Sequence, residues 1–301
     1  METILSINNL NKIYNKYVHA VNNVSLEIKK GNVYGILGPN GSGKSTTLGI
    51  VLNVVNKTSG TYSWFGGKVE THEALKKVGA IIERPNFYPY MSAYQNLKLV
   101  CKIKGVSAEA IDKVLETVGL VERKDSEFRT FSLGMKQRLA IASALLNAPE
   151  VLILDEPTNG LDPQGIADIR NLILQLSRVQ GKTVLVSSHL LSELEIISDY
   201  LVMLRKGEVV FAGKIEELLL AQQHVIIAKG QNPGDLEKIL TLATGMGHTA
   251  SIRNNEVHIQ ANADWAATLN RAAFDAGITL AQLSPQVPNL EETFFEMTGD
   301  K

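Results

Sequence analysis

Apolar and polar residues alternate along the first part of the chain, and the spacing of the apolar residues changes twice further on. Between Ile4 and Leu37 the apolar runs are short and end at Asn and Gly clusters, a pattern that predicts β-strands. From Ala93 to Leu146 apolar residues recur at helical spacing, and from Val151 to Leu220 short apolar runs alternate with helical segments. The sequence therefore predicts an α/β core with a helical subdomain inserted at about residues 92–148.

The last part of the chain, 221–301, has a different pattern. A strand, a helix, a hairpin, a second helix and a final strand follow one another, and the hairpin turn is expected at Asn254 and Asn255. This βαββαβ order predicts a small α+β domain of the ferredoxin-like type. An amphipathic helix with Asn289 as its N-cap is expected to close the chain. The predicted domains are therefore 1–220 and 221–301.

The charge balance and the apolar segments restrict where the protein acts. Lys and Arg number 30 and Asp and Glu 31, so the net charge of −1 gives no reason to expect nucleic acid as a partner. The N-terminus lacks the basic and apolar regions of a signal peptide, and no uncharged stretch approaches the roughly 18–20 apolar residues of a spanning helix. We expect a cytoplasmic protein that reaches a membrane only through another polypeptide.

The segment GPNGSGKST matches the phosphate-binding pattern G-x-x-x-x-G-K-[ST] and lies between the strand VYGIL and a helical run. Its glycines let backbone N–H groups turn towards phosphate oxygens, and the helix that follows adds the positive end of its dipole. Lys44 supplies a cation for the β and γ phosphates, and Ser45 a hydroxyl ligand for Mg²⁺. A glycine-rich turn beside a lysine is the alternative, and the flanking strand and helix argue against it. The residues predicted to hold ATP here are Gly38, Pro39, Asn40, Gly41, Ser42, Gly43, Lys44, Ser45 and Thr46.

Two carboxylates end a second apolar run, VLILDEP. A fully buried strand would direct Asp155 and Glu156 to the carboxyl edge of the sheet, where α/β proteins bind ligands. In a nucleotide site Asp155 would hold Mg²⁺ and Glu156 would polarise the attacking water. Solvated carboxylates at a strand end are the alternative, which the phosphate loop upstream makes the weaker one. His189 follows the strand TVLVSS at the same edge, where it can hydrogen-bond a γ phosphate.

Five segments in this order resemble the motifs of the ATP-binding cassette (ABC) family: GPNGSGKST, FSLGMKQRL, VLILDEP, GLDP and SSH. The resemblance covers residues 1 to about 220 and implies an ATPase with a RecA-like core, an antiparallel β subdomain and a helical subdomain. It also implies a head-to-tail homodimer, in which ATP and Mg²⁺ lie between the phosphate loop of one subunit and the signature segment FSLGMKQRL of the other. The partner of such a dimer is a membrane permease on a separate chain.

The resemblance assigns roles to further residues, position by position. It implies that Tyr14 stacks on adenine, with Tyr17 as the competing aromatic residue. Ser132 and Gly134 would reach the γ phosphate bound by the opposite subunit. Asp162 would lie at the dimer interface, and the histidine of the SSH motif would act as the switch.

Two segments depart from the usual family pattern. Glu83 stands where the family usually has glutamine, and the signature segment has Leu133 and Met135 in place of glycine and glutamine. With these departures the chain resembles the branch that exports bacitracin and confers immunity to bacteriocins, and the resemblance implies that Glu83 contacts Mg²⁺. A signature segment binds through N–H groups at a helix start and a serine hydroxyl. We therefore expect it to close on nucleotide if Leu133 has a negative φ and a side chain that points away from the nucleotide.

Two other classes of function compete with the export of a peptide antibiotic, bacteriocin or drug-like substrate. A soluble cassette ATPase acting on the ribosome or DNA usually has two fused cassettes or a long coiled coil, whereas this chain has one phosphate loop and no sustained heptads. A second alternative is a binding module in which the C-terminal domain senses a ligand. We expect the first class: an ATPase subunit on the cytoplasmic face of the cell membrane, bound to a permease.

Overall fold

The computed structural model describes residues 2–82, 86–220, 225–232 and 234–286. The chain divides into two compact units, Met1–Ile215 and Glu216–Lys301, and each is described by itself. Two predictions made from the sequence, the metal ligand Glu83 and the closing helix after Asn289, lie outside the described residues. Within the described part of the chain, no helix combines the length and the apolar character needed to cross a membrane.

The first unit is built from two sheets and a set of helices. Its strands are β1 (Thr3–Tyr14), β2 (Val18–Lys29), β3 (Val33–Leu37), β4 (Ser59–Trp64), β5 (Val78–Ile81), β6 (Val151–Leu154), β7 (Thr183–Ser188), β8 (Tyr200–Arg205) and β9 (Glu208–Lys214). Its helices are α1 (Lys44–Val51), α2 (Thr71–Leu75), α3 (Ala93–Lys104), α4 (Ala110–Thr117), α5 (Leu133–Leu145), α6 (Pro163–Leu174) and α7 (Leu191–Ile197).

A six-stranded sheet in the order β5-β6-β7-β3-β8-β9 forms the centre of this unit. Neighbouring strands pair in parallel, except for the antiparallel hairpin of β8 and β9. Every residue of β3 and β6 is buried, which explains why both appear in the sequence as continuous apolar runs. Because β3, β6 and β7 are parallel, the residues that follow them meet at one edge of the sheet, which we call the carboxyl edge.

The second sheet is antiparallel, in the order β2-β1-β4, and it packs onto the same core. One hydrophobic cluster contains Ile7 of β1, Ile153 of β6 and Val202 of β8. Trp64, at the end of β4, is 2% exposed and donates its indole N–H to the Val51 carbonyl oxygen at 2.9 Å. Burial of these side chains therefore joins the two sheets and the end of α1 into one folded body.

The helices α3, α4 and α5 occupy the segment in which the sequence predicts a helical subdomain. Ser92 caps α3 in a capping box, in which its hydroxyl accepts the Gln95 N–H while the Gln95 side chain accepts the Ser92 N–H. Gly105 ends this helix with a φ of 66°, in the left-handed conformation common at helix C-termini. Local signals for the start and the end of α3 are thus present in the sequence itself.

The second unit contains α8 (Ile215–Leu220, which begins at the boundary), β10 (Val225–Gly230), α9 (Asp235–Gly245), β11 (Ala250–Arg253), β12 (Glu256–Gln260), α10 (Trp265–Asp275) and β13 (Leu280–Gln286). Its antiparallel sheet has the order β11-β12-β10-β13. Asn254 and Asn255 have φ values of 49° and 63°, as a two-residue type I′ hairpin turn requires. A separate hydrophobic core joins Ile226, Ile239 and Leu269 of the strand and the two helices.

Candidate active site

The phosphate loop, residues 38–46, connects the end of β3 to the start of α1. Gly43 has a φ of 103°, where any residue with a Cβ is strained. A Cβ on Gly43 would also lie 2.4 Å from the Ala20 carbonyl oxygen, and one on Gly38 2.4 Å from the Leu204 carbonyl oxygen. The loop can therefore follow this path only with glycine at both positions.

Lys44 is the first residue of α1, and only 5% of its side chain is exposed. Its Nζ donates to the Gly38 carbonyl oxygen at 2.7 Å and to the Pro39 carbonyl oxygen at 3.3 Å. The same Nζ lies 3.2 Å from Glu156 Oε1. A buried cation is thus held beside the loop by acceptors that an anionic phosphate oxygen can replace.

Asp155 and Glu156 follow β6, and a serine in β7 positions both. The Ser187 hydroxyl donates to Asp155 Oδ1 and accepts the Glu156 N–H at 2.9 Å. Glu156 has a φ of 48°, a left-handed conformation that is strained for a residue with a side chain. Its Oε2 lies 2.9 Å from His189 Nδ1, while its Oε1 faces Lys44. Lys44, Glu156 and His189 therefore form one cluster, which we call the lysine cluster. Its members follow three neighbouring strands, β3, β6 and β7, at the carboxyl edge.

The donors at this edge fit a nucleotide phosphate. The start of α1 has no side-chain cap and no acidic residue in its first turn, so neither a cap nor a first-turn carboxylate offsets the positive end of the helix dipole. The Ser42 hydroxyl is buried in the loop and has no hydrogen-bond partner among the residues that the structure describes. Unpaired donors beside a buried ammonium group are what a polyphosphate requires.

The residues present also fit Mg²⁺ as a companion of the phosphates. No group of three or more His, Cys, Asp or Glu side chains suited to a metal occurs in the described part of the chain. Mg²⁺ commonly takes one or two protein oxygens and completes its shell with phosphate oxygens and water. The exposed Ser45, in the first turn of α1, and the carboxylate of Asp155, which follows β6, both lie at the carboxyl edge and provide a donor set of that kind.

Two helix starts that are predicted to face the opposite subunit lie next to each other. Ser132 caps α5 by accepting the Met135 N–H at 3.3 Å, and Asp162 caps α6 by accepting the Gly165 N–H at 3.0 Å. A Cβ on Gly134 would lie 3.9 Å from Gly165 Cα, which shows how close the two helix starts are. Among the described residues, no hydrogen bond or ion pair joins either cap to the lysine cluster of the same chain.

The unusual residues of the signature segment leave its backbone unstrained. Leu133 is the first residue of α5 and has a negative φ, as a helical residue does. It is 47% exposed. Met135 contributes its N–H to the Ser132 hydroxyl, which any residue except proline can do. The backbone condition for closure on nucleotide, a negative φ at Leu133, is therefore met.

The candidate adenine contact, Tyr14, is the last residue of β1. It is 39% exposed, and Lys12 Nζ lies 4.6 Å from the centre of its ring. Tyr17 is 85% exposed, and its N–H donates to the Tyr14 carbonyl oxygen at 3.1 Å, so both rings flank one turn. A partly covered ring suits stacking better than a fully exposed one, but the role of Tyr14 stays a prediction.

Two buried polar residues near this edge are absent from the predicted site. Ser187, which positions both carboxylates, belongs to the SSH segment, so the sequence motif that identified His189 also marked this residue. Glu193 lies four residues after His189, and its carboxylate accepts hydrogen bonds from Thr158 and Ser188. Its bond to Thr158 joins positions 35 residues apart, so nothing in the local pattern indicates it.

Comparison with known proteins relates this arrangement to a family. The model of the family described as ABC transporter matches residues 21–159. The bacitracin transport ATP-binding protein BcrA of Enterococcus faecalis is 37% identical over 302 residues, which cover 99% of this chain and 97% of that protein. The lantibiotic transport ATP-binding protein SrtF of Streptococcus pyogenes is 45% identical over 207 residues, 69% of this chain and 89% of that protein. The dimeric ATP-binding cassette MJ0796, solved in a post-hydrolysis state with ADP and Pi, matches with a TM-score of 0.61 and 28% identity over 70% of this chain and 99% of that one.

Proposed function

The chain belongs to the ABC transporter family as an ATP-hydrolysing subunit, and on that basis we propose that two copies close around two ATP molecules and drive a membrane permease on a separate chain. The observation that carries the proposal is the contact series of Lys44, Glu156 and His189 at the carboxyl edge. A cation, a base and a histidine lie side by side there, next to a phosphate-binding loop. These are the groups that the hydrolysis of a γ phosphate needs.

In the proposed reaction water attacks the γ phosphorus in line, and the bond to the β-phosphate oxygen breaks with its electron pair leaving on ADP. Glu156 accepts the proton of the attacking water, and Lys44 exchanges the loop carbonyls for phosphate oxygens. His189 Nδ1 holds the Glu156 carboxylate in place. Ser45 and Asp155 would hold Mg²⁺, which when bound supplies positive charge to the phosphate oxygens, and Glu83 is proposed as a further ligand.

The second copy is proposed to supply the other half of each nucleotide site. Ser132 and Gly134 would contact the γ phosphate bound by the partner, and Asp162 would lie at the interface. The start of α5 supports this, because its cap, Ser132, is neutral and its first turn has no acidic residue, so the positive end of the helix dipole favours an anion there. The dimeric cassette with ADP and Pi supports it independently.

The cargo is proposed to be a peptide antibiotic, a bacteriocin or another drug-like substrate, moved out of the cell by the permease. BcrA and SrtF, which are named as bacitracin and lantibiotic transport proteins, support this substrate class. The chain would then act at the cytoplasmic face of the membrane. Action on the ribosome is not favoured, since these relatives are named as transport proteins.

The C-terminal unit is proposed to be a ferredoxin-like accessory domain that covers residues 221–301 and follows a cassette of residues 1–220. Its βαββαβ element order and its antiparallel sheet order support that classification. BcrA matches this chain over nearly its whole length, whereas the match with SrtF covers 69% of it. We therefore propose that this domain adds dimer contacts or regulates closure and takes no part in hydrolysis.

The transport function predicts where the protein is found in its host. We expect the tagged full-length chain to be recovered from detergent-solubilised membranes together with a polytopic membrane protein, because an ATPase subunit needs a permease to act on a membrane. Deleting the gene should raise the sensitivity of the host to a peptide antibiotic, measured as growth inhibition. Recovery with ribosomes and unchanged sensitivity would favour the ribosome-acting class.

A truncation tests the division of labour between the units. Removing residues 221–301 should leave the affinity for Mg²⁺-ATP within about twofold of the full-length value, because each unit has its own hydrophobic core and the phosphate loop lies in the first. The measurement is titration calorimetry, with circular dichroism showing that the truncated chain is folded. A folded truncation that no longer binds nucleotide would refute this division.

A further inference from the structure

Glu193 is a buried carboxylate that the proposed reaction does not use. It lies on α7, with 7% of its surface exposed. One oxygen, Oε2, accepts the Thr158 hydroxyl at 2.6 Å and the Ser188 hydroxyl at 3.0 Å. The Ser188 oxygen in turn accepts the Leu190 N–H at 3.0 Å. Burying a carboxylate is unfavourable unless donors satisfy it, and here two hydroxyl groups from different segments do so.

The two segments joined by Glu193 carry the reacting groups. Thr158 lies two residues after Glu156, and Ser188 lies immediately before His189. The strained backbone of Glu156, with a φ of 48°, persists only if its surroundings hold it. Ser187 provides one such constraint through the Glu156 N–H, and the bond from Thr158 to Glu193 provides a second one on the same loop.

We propose that Glu193 is a positioning residue that keeps Glu156 and His189 at their 2.9 Å contact. This inference rests on the proposed roles of those two residues in hydrolysis. Without the acceptor, Thr158 and Ser188 lose their common partner, and the loops after β6 and β7 lose the bond that links them. A displacement of about 1 Å at reacting groups can lower a rate by roughly 10²-fold. ATP binding depends on the phosphate loop, which Glu193 does not contact through any of these bonds.

The test uses four substitutions in the full-length chain. Glu193→Ala should lower kcat by about 10- to 100-fold and change the KM for ATP by less than about threefold. Glu193→Gln should retain most of kcat, because its amide oxygen can accept both hydroxyl groups. Glu195→Gln is the matched control, since Glu195 is exposed on the same helix, and it should behave like the parent. Thr158→Val, which removes one donor, should reproduce part of the loss in kcat.

Two further measurements separate positioning from a general effect on folding. In a His189→Ala background, Glu193→Ala should have little additional effect on kcat, because the contact it maintains is already absent. Amide hydrogen exchange without nucleotide should be faster at Glu156 and Leu190 in Glu193→Ala and unchanged in β1 and β2. These N–H groups bond to Ser187 and Ser188, so they report on the two loops directly.

A parental kcat in Glu193→Ala, or losses that multiply with those of His189→Ala, would overturn the inference. Faster exchange throughout the first unit would also overturn it, because Glu193 would then serve only the stability of the fold. A parent chain that does not hydrolyse ATP would refute the proposed function instead. In that case the exchange at Glu156 and Leu190 would still decide whether Glu193 holds the two loops together.

Discussion

Lys44→Ala should reduce ATP turnover by at least about 10²-fold and weaken ATP binding at the same time. Lys44 is 5% exposed, is bonded to two loop carbonyls and lies 3.2 Å from Glu156, so its charge is concentrated beside the phosphate loop. Alanine leaves the phosphates without that cation and leaves the Glu156 carboxylate without its ion-pair partner. The loss of the cation and the loss of the ion-pair partner of Glu156 therefore both disfavour the cleavage of ATP.

The measurements for Lys44→Ala are steady-state ATPase activity and equilibrium binding of a fluorescent ATP analogue. Lys76→Ala is a suitable control, because Lys76 is 60% exposed and pairs only with Glu73 in the described part of the chain. Circular dichroism should show that both variants are folded. Parental turnover by Lys44→Ala would mean that the loop does not hold the phosphates that are cleaved.

Glu156→Gln should slow hydrolysis by roughly 10² to 10⁴ while ATP binding is retained, since that range is the usual contribution of a positioned base. Glutamine has nearly the same shape as glutamate but does not accept the proton of water. ATP should then stay bound without being cleaved, and a dimer should accumulate when Mg²⁺ and ATP are added. Size-exclusion chromatography with light scattering measures that dimer.

The control for Glu156→Gln lies at the other end of the same strand. Glu150 precedes β6 and pairs with Lys30 and Lys77, so Glu150→Gln changes a partly exposed, ion-paired carboxylate away from the carboxyl edge. We expect parental hydrolysis and no accumulated dimer for this variant. If Glu156→Gln hydrolyses ATP at the parental rate, another group must be the base.

Much of the cassette could be predicted from the sequence because its signals are local. The strands β3 and β6 are buried on both faces, so they appear as continuous apolar runs. The phosphate loop could be identified because glycine is needed where a Cβ would meet a carbonyl oxygen, as at Gly38 and Gly43. The Asn254–Asn255 turn could be predicted because few residues accept a positive φ at both positions.

Other features were open in the sequence and needed the backbone to decide them. Leu133 was compatible with closure only under a condition on φ, and its place at the start of α5 meets that condition. The closeness of the Ser132 and Asp162 caps follows from how α5 packs beside α6, which neither segment encodes alone. Such packing depends on side chains far apart in the chain, so a local pattern does not specify it.

The sequence by itself thus determined the type of chemistry: a lysine and a hydroxyl in a glycine loop, two carboxylates after a buried strand, and a histidine after another. Only the tertiary structure decided how these groups pair, with Glu156 between Lys44 and His189. It alone also revealed the bond of Thr158 to Glu193, 35 residues further along the chain. The physical reason is that hydroxyl and carboxylate groups pair with any suitable partner nearby, and the parallel register of β6 and β7 decides which partner is near.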